Sequence, residues 1–149
     1  MAQHDALRRL YRRADVLVCD REEAVEIGGG DHIDVASLLD GLQHLGAKTT
    51  VVTDGPAGAY ASDGRHRFRV PIFSDPAPPR ERTGAGDAFA STVVAALIKG
   101  RPLHEAMTWA PINAMSVVQH VGSQTGLLDE TSPLQQLKDA PEDYPVVSW

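Results

Sequence analysis

With 149 residues, the chain is long enough for one domain that buries about 70% of its unfolded surface. Its formal net charge of −6 argues against a nucleic-acid partner held through phosphate contacts, which would need clustered Lys and Arg. Cys19 is the single cysteine, so no internal disulfide can form, and no apolar run approaches the roughly 20 residues needed to cross a bilayer. A cytoplasmic protein away from membranes is therefore expected.

Residues 2 to 13 have helical spacing, with Ala6, Leu7, Leu10 and Tyr11 on one side and Arg8, Arg9, Arg12 and Arg13 on a solvated face. Val16-Leu17-Val18-Cys19 reads as a buried parallel strand, with Cys19 a small buried hydrophobe. Asp20 can then cap a short helix whose first turn carries Glu22 and Glu23, where acids complement the helix dipole. Gly28-Gly29-Gly30 should end that helix in a flexible turn. The next helix is predicted from Asp34 to Leu45, on the spacing of Val35, Leu38, Leu39 and Leu42, with Gly46 as its stop. Thr49 to Thr53 follows as a strand, giving the strand, helix, strand order of a parallel α/β unit.

Thr53-Asp54-Gly55-Pro56-Ala57-Gly58 closes that strand in a glycine-rich turn. Asp63-Gly64-Arg65 marks a hairpin between Ala59–Ser62 and His66–Val70. Pro71, Pro76, Pro78 and Pro79 make residues 71 to 80 an extended connection. It leads into Glu81-Arg82-Thr83-Gly84-Ala85-Gly86-Asp87-Ala88-Phe89. From Ala88 to Ile98 only Ser91 and Thr92 are polar, so a helix buried nearly all round is expected, with a carboxylate at its mouth.

The dipole alone could keep Asp87 in a first helical turn. It does not account for Gly84 and Gly86 on either side of Ala85, since a glycine in a helix costs about 1 kcal/mol relative to Ala. Uncovered backbone at a helix N-terminus suits an anion, and Asp87 beside it suits a general base taking a proton from an attacking hydroxyl. Two other phosphate motifs are excluded. A P-loop needs Gly-Lys where only Lys99-Gly100 occurs, and a dinucleotide fingerprint needs a small residue where Phe89 stands. A long apolar helix is predicted from Leu103 to Val121 after Pro102, and residues 129 to 149 read as a mostly irregular tail with a short helix near Leu134 to Lys138. The six histidines show no metal-ligand spacing.

Thr83-Gly84-Ala85-Gly86-Asp87-Ala88-Phe89 resembles the C-terminal signature of the ribokinase/PfkB-like sugar kinases. The resemblance implies an α/β fold, a ribokinase-like three-layer sandwich with a mostly parallel sheet. It covers only the C-terminal half of the family's sequence, so residues 1–149 would form one partial domain without the N-terminal half and its lid. It implies an anion hole at Gly84, Ala85 and Gly86, with Asp87 as catalytic base. Asp20-Arg21-Glu22-Glu23 is similar to the family's Asn-x-x-Glu, which makes Glu23, with Asp20, a candidate for the Mg2+ water shell. Thr53, Gly55 and Gly58 match the family's phosphate turn, and Asn113 falls on its helix beside adenine. In members activated by a monovalent cation such as K+, Glu81 and Thr83 fall at ligand positions. The chain departs from the pattern where Glu81-Arg82 replace Asp-Thr and where Thr92 replaces a smaller residue.

The implied reaction is ATP-dependent phosphorylation of a hydroxymethyl group on a sugar, nucleoside or similar small molecule. A nucleotide-binding remnant without sugar kinase activity and a non-catalytic scaffold stay open beside it. A second copy or another partner is expected over the sheet edge left open by the missing half.

Overall fold

The computed structural model describes residues 2–28, 34–129, 131–141, 144 and 146–149. Gly29, Gly30 and His32 therefore lie outside the described residues. In chain order the elements are α1 (Ala2–Tyr11), β1 (Val16–Asp20), α2 (Arg21–Gly28), α3 (Val35–His44), β2 (Thr49–Thr53), β3 (Ala59–Ser62), β4 (Arg67–Val70), α4 (Ala85–Ile98), α5 (Leu103–Val118), α6 (Thr131–Gln136) and β5 (Val147–Ser148).

The five strands form one sheet in the order β1-β2-β3-β4-β5. It is mixed: β1 and β2 run parallel, and the other three pairings are antiparallel. The β-branched run of β2 suits its interior position between β1 and β3. Val51 and Val52 are both fully buried but on opposite faces, because successive strand side chains alternate. Val52 packs with Cys19, Leu38, Leu39 and Leu42 under α2 and α3. Val51 packs with Val93, Met107 and Ile112 under α4 and α5. The result is three layers, helices on both faces of the sheet. Each buried Leu of α3 contributes about 1.5–3 kcal/mol.

The strand carrying Cys19 is an edge strand; Val16, Leu17 and Val18 are only half-buried, whereas Cys19 is 7% exposed. Burial, followed by the nearby Glu23 and Asp20 charges, pushes the Cys19 thiol up to about 12. The native protein is therefore expected to resist alkylation by iodoacetamide at pH 8, and the unfolded chain to label readily. Mass spectrometry reads the difference, and rapid labelling of the native protein would contradict this packing.

Three expectations are corrected. Leu10, assigned to the covered side of α1, is 65% exposed. The helix of the glycine loop is not covered all round. Asp87, Ser91, Val94, Ala95 and Ile98 form one exposed face of α4, and Ile98 is 81% exposed. Apolar composition shows that a face avoids water, not that this chain covers it. The tail holds the expected short helix as α6, and among its described residues it also carries a strand, β5, in the end read as unpatterned. Asp129 accepts amide hydrogen bonds from Thr131 and Ser132 at 3.0 Å each, which starts α6. Tyr144 donates to the Thr108 carbonyl at 2.8 Å and meets Phe73 edge-on at 4.8 Å. β5 extends the sheet beside β4, and Arg67 stacks over Trp149.

Candidate active site

The parallel pairing of β1 and β2 sets Asp20 opposite Thr53. Both strands therefore end together, and ligands in α/β sheets bind beyond such carboxyl ends. At the end of β1, the Asp20 carboxylate accepts the Glu23 amide at 2.8 Å and the Glu23 carboxylate accepts the Asp20 amide at 2.9 Å. This reciprocal capping box fixes both acids on an exposed turn. Arg21 then bridges to Asp54 at 2.6 Å, tying that turn to the one after β2.

The second turn closes on itself. The Asp54 amide donates to the Gly58 carbonyl at 2.8 Å, and the Gly58 amide to the Gly55 carbonyl at 3.1 Å. Gly58 has φ +94°, and a Cβ there would stand 2.1 Å from the Val70 carbonyl oxygen. That glycine serves backbone packing. Gly55 has open space around it.

The glycines of the loop that opens α4 divide in the same way. Gly84 caps α4 in a left-handed conformation, φ +87°, and a Cβ would meet the Ser123 backbone at 2.6 Å. Its bare face is turned to the protein rather than to a ligand, contrary to the reading of both glycines as uncovered. Gly86 is the open one, with nothing within 4 Å of a Cβ. The Ala85 amide makes a long turn bond to the Arg82 carbonyl at 3.3 Å, and the first helical bond is Ala88 to Gly84 at 2.8 Å. Among the described residues the amides of Gly86 and Asp87 donate to no protein acceptor, which leaves two donors at the positive end of the helix.

These turns border a cavity of about 300 Å³. Thr53 lines it from the end of β2, Gly55 and Gly58 from the turn that follows, and Arg82, Ala85 and Gly86 from the loop that opens α4. Ile72 and Phe73 with Ala114 and Met115 give it apolar walls. Asp87 does not line this cavity and is exposed. Successive helical residues turn by about 100°, so Asp87 occupies a different flank of the helix mouth from Gly86.

Asn113 does not line the cavity. It is buried between helices, where its amide nitrogen donates to the Thr92 hydroxyl at 2.8 Å and its oxygen accepts the Leu128 amide at 2.9 Å. Thr92, the larger residue noted in the sequence, thus holds α4 to α5. Glu81 accepts the Gly122 amide at 2.8 Å. That bond, and then one from the Thr83 hydroxyl, keeps the Glu81 carboxyl below its usual range. The contribution is present above the ordinary carboxylate pKa and is lost as the pH falls through the lowered value.

Residues 1–130 match the family model described as pfkB family carbohydrate kinase. The chain belongs to that family. It is 32% identical over 121 residues to a cytidine kinase of Thermococcus kodakarensis, a match covering 80% of this chain and 42% of the relative. It is 29% identical over 123 residues to an ATP-dependent 6-phosphofructokinase of Thermoanaerobacterium thermosaccharolyticum, covering 83% and 37%. The chain thus spans less than half the length of these pfkB relatives. A solved E. coli structure in complex with ATP and Mg2+ superposes with a TM-score of 0.80 at 22% identity, covering 93% of this chain and 44% of that one.

Within this pfkB domain, sequence reasoning overlooked Ile72, Phe73 and Met115 as cavity walls and Ser123 as the partner of Gly84. The apolar Ile72-Phe73 pair inside a proline-rich connection was the available signal, because an extended linker rarely needs adjacent large hydrophobes.

Proposed function

We propose that this chain binds magnesium-ATP and contributes the phosphoryl-donor side of an ATP-dependent transfer to a hydroxymethyl group on a sugar or nucleoside. The observation that carries the reading is the pairing of the open Gly86 mouth, which lines the cavity, with an exposed carboxylate one residue further on. Uncommitted amides at a helix N-terminus stabilise charge on a transferring phosphoryl. Asp87, turned away from the cavity, avoids the phosphates and accepts the proton of the incoming hydroxyl. Thr53, Gly55 and Gly58 would flank the phosphates, and the apolar walls would take the base.

The donor set suits magnesium held mainly by phosphates and water. Among the described residues no group of three or more His, Cys, Asp or Glu could cage a metal, whereas Asp20 and Glu23 offer oxygens fixed by their capping box. Asp20 and Glu23 would hold the water shell of such an ion, whose charge would offset that of the phosphates. A monovalent cation would compete with the Gly122 amide and the Thr83 hydroxyl for Glu81, and the reading does not require one.

The open edge of β1 and the exposed face of α4 favour a unit that receives its acceptor substrate against another polypeptide. A second copy of the chain is one such partner. No helix among the described residues is long and apolar enough to cross a membrane. A reducing compartment such as the cytoplasm fits the buried free thiol.

The test is a calorimetric titration with magnesium-ATP, followed by assays of ADP release with ribose, fructose 6-phosphate and cytidine. Binding in the micromolar to millimolar range is expected. Neither heat nor thermal shift at millimolar magnesium-ATP would remove the nucleotide site and leave a scaffold.

A further inference from the structure

We propose that Arg82 binds the outer phosphates of the nucleotide, a role that rests on the nucleotide-binding reading above. Among the described residues the cavity is lined by two charged side chains, Asp75 and Arg82, of which Arg82 is the cation. The Arg82 side chain is exposed and joins no ion pair or hydrogen bond among the described residues. Other arginines are engaged: Arg21 is bound to Asp54 at 2.6 Å, and Arg67 holds both oxygens of Asp40 at 2.7 and 2.8 Å.

The electrostatics of the site call for such a group. Asp20, Glu23, Asp54 and Asp87 all stand on the turns that border this region, in a chain of net charge −6. A polyphosphate approaching them meets repulsion that two backbone amides only partly offset. A guanidinium on the cavity wall offers two parallel N–H donors matched to phosphate oxygens, stronger than neutral hydrogen bonds.

The backbone on both sides of Arg82 is fixed. The Arg80 and Glu81 amides donate to the Val118 carbonyl at 2.8 and 3.3 Å, and the Arg82 carbonyl accepts the Ala85 amide at 3.3 Å. The Glu81 carboxylate adds its bond to Gly122 at 2.8 Å. Arg82 thus projects from a tethered segment two residues before the Gly84 cap, and less conformational freedom is lost when it engages a ligand.

The experiment titrates the full chain and its Arg82→Ala and Arg82→Lys variants with magnesium-ATP and with AMP. Arg82→Ala should weaken ATP about 10- to 100-fold and AMP less than about twofold, with the melting temperature unchanged because the side chain is exposed. Arg82→Lys should recover part of the ATP affinity, since it keeps the charge and loses the fork. Equal weakening of ATP and AMP, or no change in either, overturns the role of Arg82 while wild-type binding keeps the nucleotide site. A wild-type chain that binds neither ligand overturns both.

Discussion

If the proposed transfer runs on this chain, replacing Asp87 by Asn is expected to lower it by about 100- to 10,000-fold and to leave magnesium-ATP affinity within about twofold of wild type. The two halves of this expectation come from separate observations. The carboxylate is exposed at the mouth of α4, where an incoming hydroxyl can reach it, and the amide isostere removes its basicity without changing its size. It does not line the cavity, so the bound nucleotide should hardly register the change. The measurement needs an acceptor that wild type turns over, together with any partner that turnover requires. A variant as fast as wild type would discard Asp87 as the base. A large loss of ATP affinity would instead show that the side chain faces the nucleotide.

The second large effect separates the two glycines of the loop. Gly86→Ala should raise stability by about 0.4–1 kcal/mol, because alanine favours the helix and a Cβ meets nothing within 4 Å. The same methyl narrows the cavity mouth, so ATP affinity should fall about tenfold. Gly84→Ala should do something different: its φ of +87° and the approach of Ser123 to 2.6 Å predict a loss of roughly 2–5 kcal/mol. Thermal melts with and without magnesium-ATP read both quantities. Gly86→Ala as unstable as Gly84→Ala, or Gly86→Ala with unaltered ATP affinity, would refute an open phosphate mouth at Gly86.

Much of this fold was legible from the chain because the local signals agree with one another. The β-branched run of β2, the Leu spacing of α3 and the Asp63-Gly64-Arg65 turn each specify a period or a dihedral, and no tertiary contact overrides them. The exposed face of α4 was not legible, since its residues carry no mark of whether the cover comes from this chain or another. β5 is two residues long and too short to show any periodicity. Asn113 was placed beside adenine on the resemblance of its helix, which could not fix the helix's rotation; Asn113 is turned between helices, and the neighbouring Ala114 and Met115 line the cavity. Gly84 and Gly86 look alike in sequence. Only the fold reveals that one abuts a neighbouring turn and the other faces open space.

The abutment of Gly84 on Ser123 extends its influence beyond local packing. Gly122 also holds Glu81, and Val118 anchors residues 80 and 81, so hydrogen bonds tie the far end of α5 to the loop ahead of α4 as one bracket. Met115 and Val118, on the same helix, also form part of the cavity wall. A substitution in the 122–123 turn should therefore be felt at the Gly86 mouth of the cavity, although no atom of that turn lines it.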